Sequence, residues 1–165
     1  MALFSKKEVL KSEPGVLYAI TSGQIIGIEQ VKDEMFAGKM LGDGLAFIST
    51  NGEVVSPCDG VITAIFSTNH AVGITTDNGA EILIHIGIDT VKAQGDGFKG
   101  FVKKGERVTR AQKLIAFDKH KLEEKGYDLT IPMIITNMDE IAIKVIANEV
   151  VNKGTEVMLF EKITK

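Results

Sequence analysis

The sequence is short of cysteine, of net basic charge and of long apolar runs, and each shortage excludes a class of protein. Its one cysteine, Cys58, cannot close an internal disulfide, and no C-x-x-C pair offers a zinc or redox site. That usage fits a reducing cytoplasm. A formal net charge of -3 provides no excess of Lys and Arg to displace counterions, so nucleic acid is not an expected partner. The N-terminal "MALFSKKEVLKSE" lacks the apolar core of a signal peptide, and no run reaches the ~18 apolar residues of a membrane span. No integral membrane segment is expected. Leu3, Phe4, Val9 and Leu10 with Lys6, Lys7 and Lys11 offer a weak amphipathic turn at most, so residues 1–15 read as a flexible segment. No Pro-, Ser- or Gly-rich linker divides the rest, and residues 16–165 are expected to form one domain.

What the chain does have is glycine, 17 residues of it, recurring between short runs of Val, Ile, Thr and Phe. This is the rhythm of short strands joined by tight turns. Strands are expected at 16–20, 24–29, 44–49, 53–55, 60–66, 70–75, 81–87, 113–117, 130–136, 141–146 and 156–161. Their spacing predicts an all-β, mainly antiparallel sandwich or flattened barrel. Helical signals are few. Asp118 is a plausible N-cap for "KHKLEEK", which Gly126 ends, and a short turn is expected between Gln30 and Met40. "SGQIIGI" (22–28) and "DGVITAI" (59–65) share a turn glycine feeding a strand, which suggests two similar hairpin-like units packed face to face.

The chemistry concentrates in "TNHAVGITTDNGAEILIHIGIDTV" (68–91), where two of the three histidines lie on strands flanking the hairpin signal "TDNG". If Asp77-Asn78 is a two-residue loop, His70 sits opposite His85; if Asn78-Gly79 is the loop, the two are diagonal. Either register puts both rings on one face with Cβ atoms roughly 5 to 8 Å apart. A three-residue loop with a simple register separates them. Ile82, Ile84, Ile86 and Ile88 form the other, core-facing stripe, leaving the histidines toward solvent or a partner. Two close imidazoles can bind metal, act as acid and base, or carry a phosphoryl group on one ring while the other donates to its oxygens. They can also be hydrogen-bonded bystanders.

"FSTNHAVGI", "EILIHIGIDTV", "GFKGFVKKGERV" and "TNMDEI" resemble the glucose-family enzyme IIA domain of the bacterial phosphoenolpyruvate-dependent sugar phosphotransferase system, over about residues 16–162. The resemblance implies a fold of the duplicated hybrid-motif kind and a phosphotransferase component needing no cofactor or metal. Such a domain takes phosphate from the histidine of HPr and passes it to the cysteine of a sugar-specific enzyme IIB, free or fused as IIBC. By motif match, His85 resembles the histidine phosphorylated through Nε2, His70 the auxiliary ring, and Thr68 the hydroxyl that orients one of the rings. Asp33, Met35, Phe36, Met40, Phe66, Asp89 and Val91 resemble the docking surface, with the acids meeting basic partner groups and the apolar residues excluding water. The resemblance also implies a cytoplasmic protein that meets the inner membrane face through its transporter and can have regulatory target proteins. On composition alone, the Met and Phe residues read as core and Asp33 as a solvated loop.

Two features depart from the family pattern. "ITSGQ" stands where such domains often carry a proline, which bears on local loop shape. No IIB or IIC segment accompanies the chain, so it acts in trans or belongs to a larger polypeptide. His120, within "DKHKLEEKGYD", is expected on a helix surface, Cys58 in a buried strand, and the lysines of "FKGFVKKGERVTR" in a solvated turn. Two other functions compete. A zinc hydrolase needs a third ligand beside His70 and His85, for which Asp89 is the candidate. A biotinyl- or lipoyl-like carrier is suggested by "VKKGERVTRAQKLIAF", but needs a lysine at a hairpin tip, where "TDNG" and "TNMDE" have none.

Overall fold

The computed structural model describes residues 15–163 of the chain. The expected flexible segment, with the apolar residues Leu3, Phe4, Val9 and Leu10, lies outside the described residues apart from Gly15. In chain order the strands are β1 Val16–Tyr18, β2 Gly23–Gly27, β3 Asp43–Ser49, β4 Glu53–Val55, β5 Gly60–Ile65, β6 Ala71–Thr76 and β7 Glu81–His85. They continue with β8 Phe98–Gly100, β9 Arg107–Val108, β10 Lys113–Phe117, β11 Ile131–Ile135, β12 Ile141–Val145, β13 Val150–Val151 and β14 Glu156–Lys162. All of their pairings are antiparallel. The all-β, antiparallel expectation is met. Sequence periodicity does not detect β8, β9 and β13, because two or three residues are too few to display an alternation.

The strands form one eight-stranded sheet, ordered β13-β2-β3-β11-β7-β6-β5-β9, and two three-stranded sheets, β1-β14-β12 and β4-β10-β8. The large sheet has mirrored halves. Reading inward from either end gives a two-residue edge strand (β13 or β9), then a glycine-led strand (β2 or β5), the next strand in the chain order of that half paired antiparallel with it (β3 or β6), and a strand at the seam (β11 or β7). The similar stretches "SGQIIGI" and "DGVITAI" therefore head opposite ends of one sheet.

Alternation in β7 explains how the sheet buries one face. Ile82 and Ile84 are buried, with Ile86 just beyond the strand, in a core that also draws on Leu45 and Phe47 of β3, Ile62 of β5, and Val72 and Ile74 of β6. On the other face Leu83 packs against a smaller cluster of Ile28, Val31, Phe36, Ala46 and Ile134. The expected isoleucine stripe extends only to Ile86. Gly87 adopts a left-handed backbone (φ +82°), which breaks the alternation, and Ile88 joins the smaller cluster.

The two α-helices among the described residues are short and capped by aspartate. Asp33 accepts a hydrogen bond from Met35 N at 2.9 Å at the head of α1, Glu34–Ala37, and Asp118 accepts from Lys121 N at 3.1 Å at the head of α2, Lys119–Glu124. No helix among the described residues is long and apolar enough to cross a membrane.

β7 is hydrogen-bonded on both sides, to β6 and β11, so its packing is a stringent test of the fold. Ile84→Ala, at a fully buried site, should cost about 2–5 kcal/mol of unfolding free energy. Urea denaturation followed by circular dichroism checks the value.

Candidate functional site

The turn between β6 and β7 is closed by Thr76 and Ala80, which leaves three residues in the loop, Asp77, Asn78 and Gly79. Thr76 N donates to Ala80 O at 2.9 Å and Gly79 N to Thr76 O at 3.1 Å. Asn78 is drawn over the turn by the Thr76 hydroxyl, at 2.7 Å, and Gly79 supplies φ +90°. Neither expected two-residue loop forms, and the register shifts so that Ala71, rather than His70, lies opposite His85. Strict alternation then assigns His70 to the core-facing side with Val72 and Ile74. The two imidazoles nevertheless meet, with centroids 5.2 Å apart and planes at 77°.

They meet because His70 is not a strand residue. Phe66 N donates to Ala71 O at 3.1 Å and Asn69 N to Phe66 O at 2.7 Å, closing a hairpin loop, 67–70, that joins β5 to β6. His70 is its last residue, tied to the chain beyond β7 by Ile86 N donating to its carbonyl at 2.7 Å. The sequence places the pair correctly but through the wrong register. It also expects both rings toward solvent or a partner, whereas His70 is only 2% exposed, with the Phe66 ring in a T-shaped arrangement against it at 5.1 Å between centroids.

Each ring is held at Nδ1. His85 Nδ1 lies 2.8 Å from Gly87 O, and since a carbonyl only accepts, this nitrogen carries the proton. In the neutral ring Nε2 then bears the lone pair. A side chain at Gly87 would be strained by the left-handed backbone (φ +82°), and its Cβ would lie 2.4 Å from Thr90 Cγ2 and 3.0 Å from Asp128 O. The Thr90 hydroxyl donates to Ile86 O at 2.5 Å, bracing the same turn. His70 Nδ1 shares a 2.5 Å hydrogen bond with the Thr68 hydroxyl.

Burial pushes both imidazoles below their ordinary pKa, and for His70 the neighbouring His85 adds to the effect. On His85 the Gly87 hydrogen bond and the Asp33 and Asp89 charges oppose burial without overcoming it. Both rings are therefore predominantly neutral at pH 7.

Of the expected docking residues, Met35 (44% exposed), Met40 (69%), Phe66 (46%) and Val91 (52%) present apolar surface. Asp33 and Asp89 are close enough to act electrostatically on His85. Phe36 is different. It is buried in the smaller cluster, its ring 5.4 Å from His85, so it backs the imidazole instead of offering surface. Leu41, 36% exposed after Met40, joins the exposed apolar residues without having been singled out. Nor does sequence reasoning single out Gly87 or Asn69. The glycine two places after a strand-ending histidine is a usable signal for the first.

The remaining candidates stand apart from the pair. His120 lies on α2 with an exposed side chain, 2.9 Å from Glu124. Cys58 is buried in the bend between β4 and β5, not in a strand, and burial, reinforced by Asp59 and Asp77, pushes its thiol up to about 12 despite the Ser56 hydrogen bond. It is the opposite of an activated thiolate. Among the described residues no three His, Cys, Asp or Glu side chains gather in a metal-holding group, so Asp89 does not complete a zinc site with the histidines.

Comparison with known proteins agrees with this geometry. The family model described as "phosphoenolpyruvate-dependent sugar phosphotransferase system, EIIA 1" matches residues 15–141. Two curated proteins, the PTS system glucose-specific EIIA components of Bacillus cereus and Bacillus anthracis, are each 45% identical over 150 residues, covering 90% of this chain and 91% of theirs. The solved structure of glucose permease IIA from Mycoplasma capricolum superposes with a TM-score of 0.83 at 32% identity, covering 96% of this chain and 99% of that one. By sequence and by fold, the chain belongs to the EIIA 1 family of the phosphoenolpyruvate-dependent sugar phosphotransferase system and serves that system as a phosphoryl carrier.

Proposed function

We propose that His85 Nε2 accepts the phosphoryl group from the phosphohistidine of HPr and passes it to the cysteine of a sugar-specific enzyme IIB. The observation that carries this reading is the pair of Nδ1 anchors, Gly87 O on His85 and the Thr68 hydroxyl on His70. The first leaves a lone pair on His85 Nε2. If the Thr68 O–H donates, His70 Nδ1 accepts and the proton of the neutral ring sits on Nε2, ready to donate to a phosphoryl oxygen.

The first transfer forms the Nε2–P bond as the donor's N–P bond breaks, with that electron pair returning to the donor imidazole. The second forms an S–P bond as Nε2–P breaks, and the acceptor enters as thiolate. Both steps depend on in-line positioning and on neutralising charge at the equatorial oxygens. His70 supplies part of that neutralisation, and the Phe36 and Phe66 rings beside the pair keep water from the phosphohistidine.

Docking follows the same chemistry. Asp33 and Asp89 meet basic groups around the partner's phosphate site, while Met35, Met40, Leu41, Phe66 and Val91 exclude water at the contact. The exchange is cytoplasmic and brings the carrier to the inner membrane face only through its transporter. The one domain expected over 16–165 suffices for it. The relatives are named for glucose, which makes glucose the first sugar to test.

With phosphoenolpyruvate, enzyme I and HPr, the protein should gain one acid-labile phosphate, located on His85 by mass spectrometry. Labelling absent from wild type, or retained by His85→Ala, overturns the assignment. His70→Gln should still accept phosphate but deliver it to enzyme IIB about 10²-fold more slowly, the scale of losing one transition-state donor. Normal delivery removes His70 from the reaction.

The lowered histidine pKa values set the pH dependence. The acid limb of phosphoryl acceptance should have its midpoint below 6.5, the ordinary imidazole value. Stability shares the sign. The folded state disfavours the imidazolium, so the unfolded chain binds more protons as pH falls through 6.5, and the folding contribution present above that value is lost until the folded pKa is passed. Urea midpoints at pH 7.5 and 5 should therefore fall further for wild type than for His85→Gln.

A further inference from the structure

We propose that Asn69 is the positioning residue that turns His70 toward His85: its left-handed backbone, with the side chain packed against Gly100, sets the loop in which the auxiliary ring is held. This rests on the assignment of His70 as the auxiliary ring.

The register makes such a device necessary. With Ala71 opposite His85, an extended chain through residue 70 directs its side chain with Val72 and Ile74 into the core, away from His85. The chain leaves the extended conformation just before His70, at Asn69, which has φ +57°. Most residues disfavour left-handed backbone, and Asn is among the few that adopt it readily. The same residue donates its N–H to Phe66 O at 2.7 Å, closing the first turn of the loop. It also lies between Thr68 and His70, whose side chains meet at 2.5 Å across it. The backbone angle at Asn69 thus governs both the direction of the ring and its tautomer-setting bond.

The neighbouring segment is shaped to hold this conformation. A Cβ at Gly100 would lie 2.3 Å from Asn69 Oδ1 and 2.9 Å from its Cγ, so the amide occupies space that a side chain on β8 would fill. Gly100 is fixed from behind by its pairing with Ile115 of β10. Gly95 approaches the same loop, its would-be Cβ 3.7 Å from Thr68 Cα. The 95–100 segment is therefore a backstop for the loop.

The test uses the full chain with four variants, Asn69→Gly, Asn69→Val, Gly100→Ala, and Gly100→Ala with Asn69→Gly. Nitrogen-15 NMR of the histidine rings reads the His70 tautomer, and phosphoryl acceptance and delivery are timed separately. Asn69→Gly, which keeps the left-handed backbone, should hold the wild-type tautomer and deliver phosphate within about 2-fold of wild type. Asn69→Val, β-branched and poorly tolerated there, should mix the His70 tautomers and slow delivery about 10-fold while acceptance on His85 changes less. Gly100→Ala should produce the same tautomer mixing, and the double variant should reverse it by removing the side chain in the way.

An unchanged His70 tautomer in both Asn69→Val and Gly100→Ala overturns the inference, as does a double variant that behaves like Gly100→Ala alone. If Asn69→Val fails to fold, the Gly100→Ala pair decides the matter. Should wild type take no phosphate on His85, the proposed phosphoryl roles fall, while the tautomer measurement still decides whether Asn69 sets His70.

Discussion

A single hydrogen bond, from His85 Nδ1 to the Gly87 carbonyl, is the constraint around which the site is arranged. It assigns the ring's proton and so leaves Nε2 as the base. Every neighbouring feature bears on that bond. Gly87 holds a left-handed backbone with Thr90 packed where a side chain would start. Thr90 braces the turn, and backbone bonds from Gly87 N to Thr130 O and Ile88 N to Asp128 O tie it to the chain entering β11. The imidazole is oriented by backbone, which cannot change rotamer as a side-chain partner can.

The electrostatic surroundings are a compromise of the same kind. Burial favours the neutral ring, whereas Asp33 and Asp89 favour the charged one, and burial prevails. A more solvent-exposed imidazole would be protonated in a larger fraction of molecules and lose its lone pair. Removing the acids would deepen neutrality but also take negative charge from the surface around the pair. Phe36 contributes as a neighbour of His85, and Phe66 as the neighbour of His70 that remains half-exposed. The two phenylalanines therefore differ in kind, one belonging to the core and the other to the surface.

Much of the fold was legible because runs of Val, Ile, Phe and Thr between turn residues are long enough to mark β3, β5, β6, β7, β11 and β14, with burial alternating along β7. The residues that matter at the site were legible as types, since two histidines near "TDNG" are conspicuous in a chain with three. Their geometry was not. One extra loop residue shifts the register, and one left-handed asparagine reverses the direction of a side chain; the two changes cancel in the final distance. Neither leaves a periodic trace. Phe36 enters the docking surface by resemblance, whereas composition alone reads it as core, which is where it packs; a four-residue helix has no pattern long enough to choose between the two.

The mirrored order of the large sheet divides labour between two near-equivalent halves. The strand that corresponds to β7 across the seam is β11, "IPMII", which is buried throughout and carries no titratable side chain. One copy of the motif is thus ballast for the other. The ring pair stands at the inner margin of its own half, against the strand that joins the two. Because β7 is paired with β6 on one edge and β11 on the other, the backbone that leads to His85 is braced from both halves of the sheet.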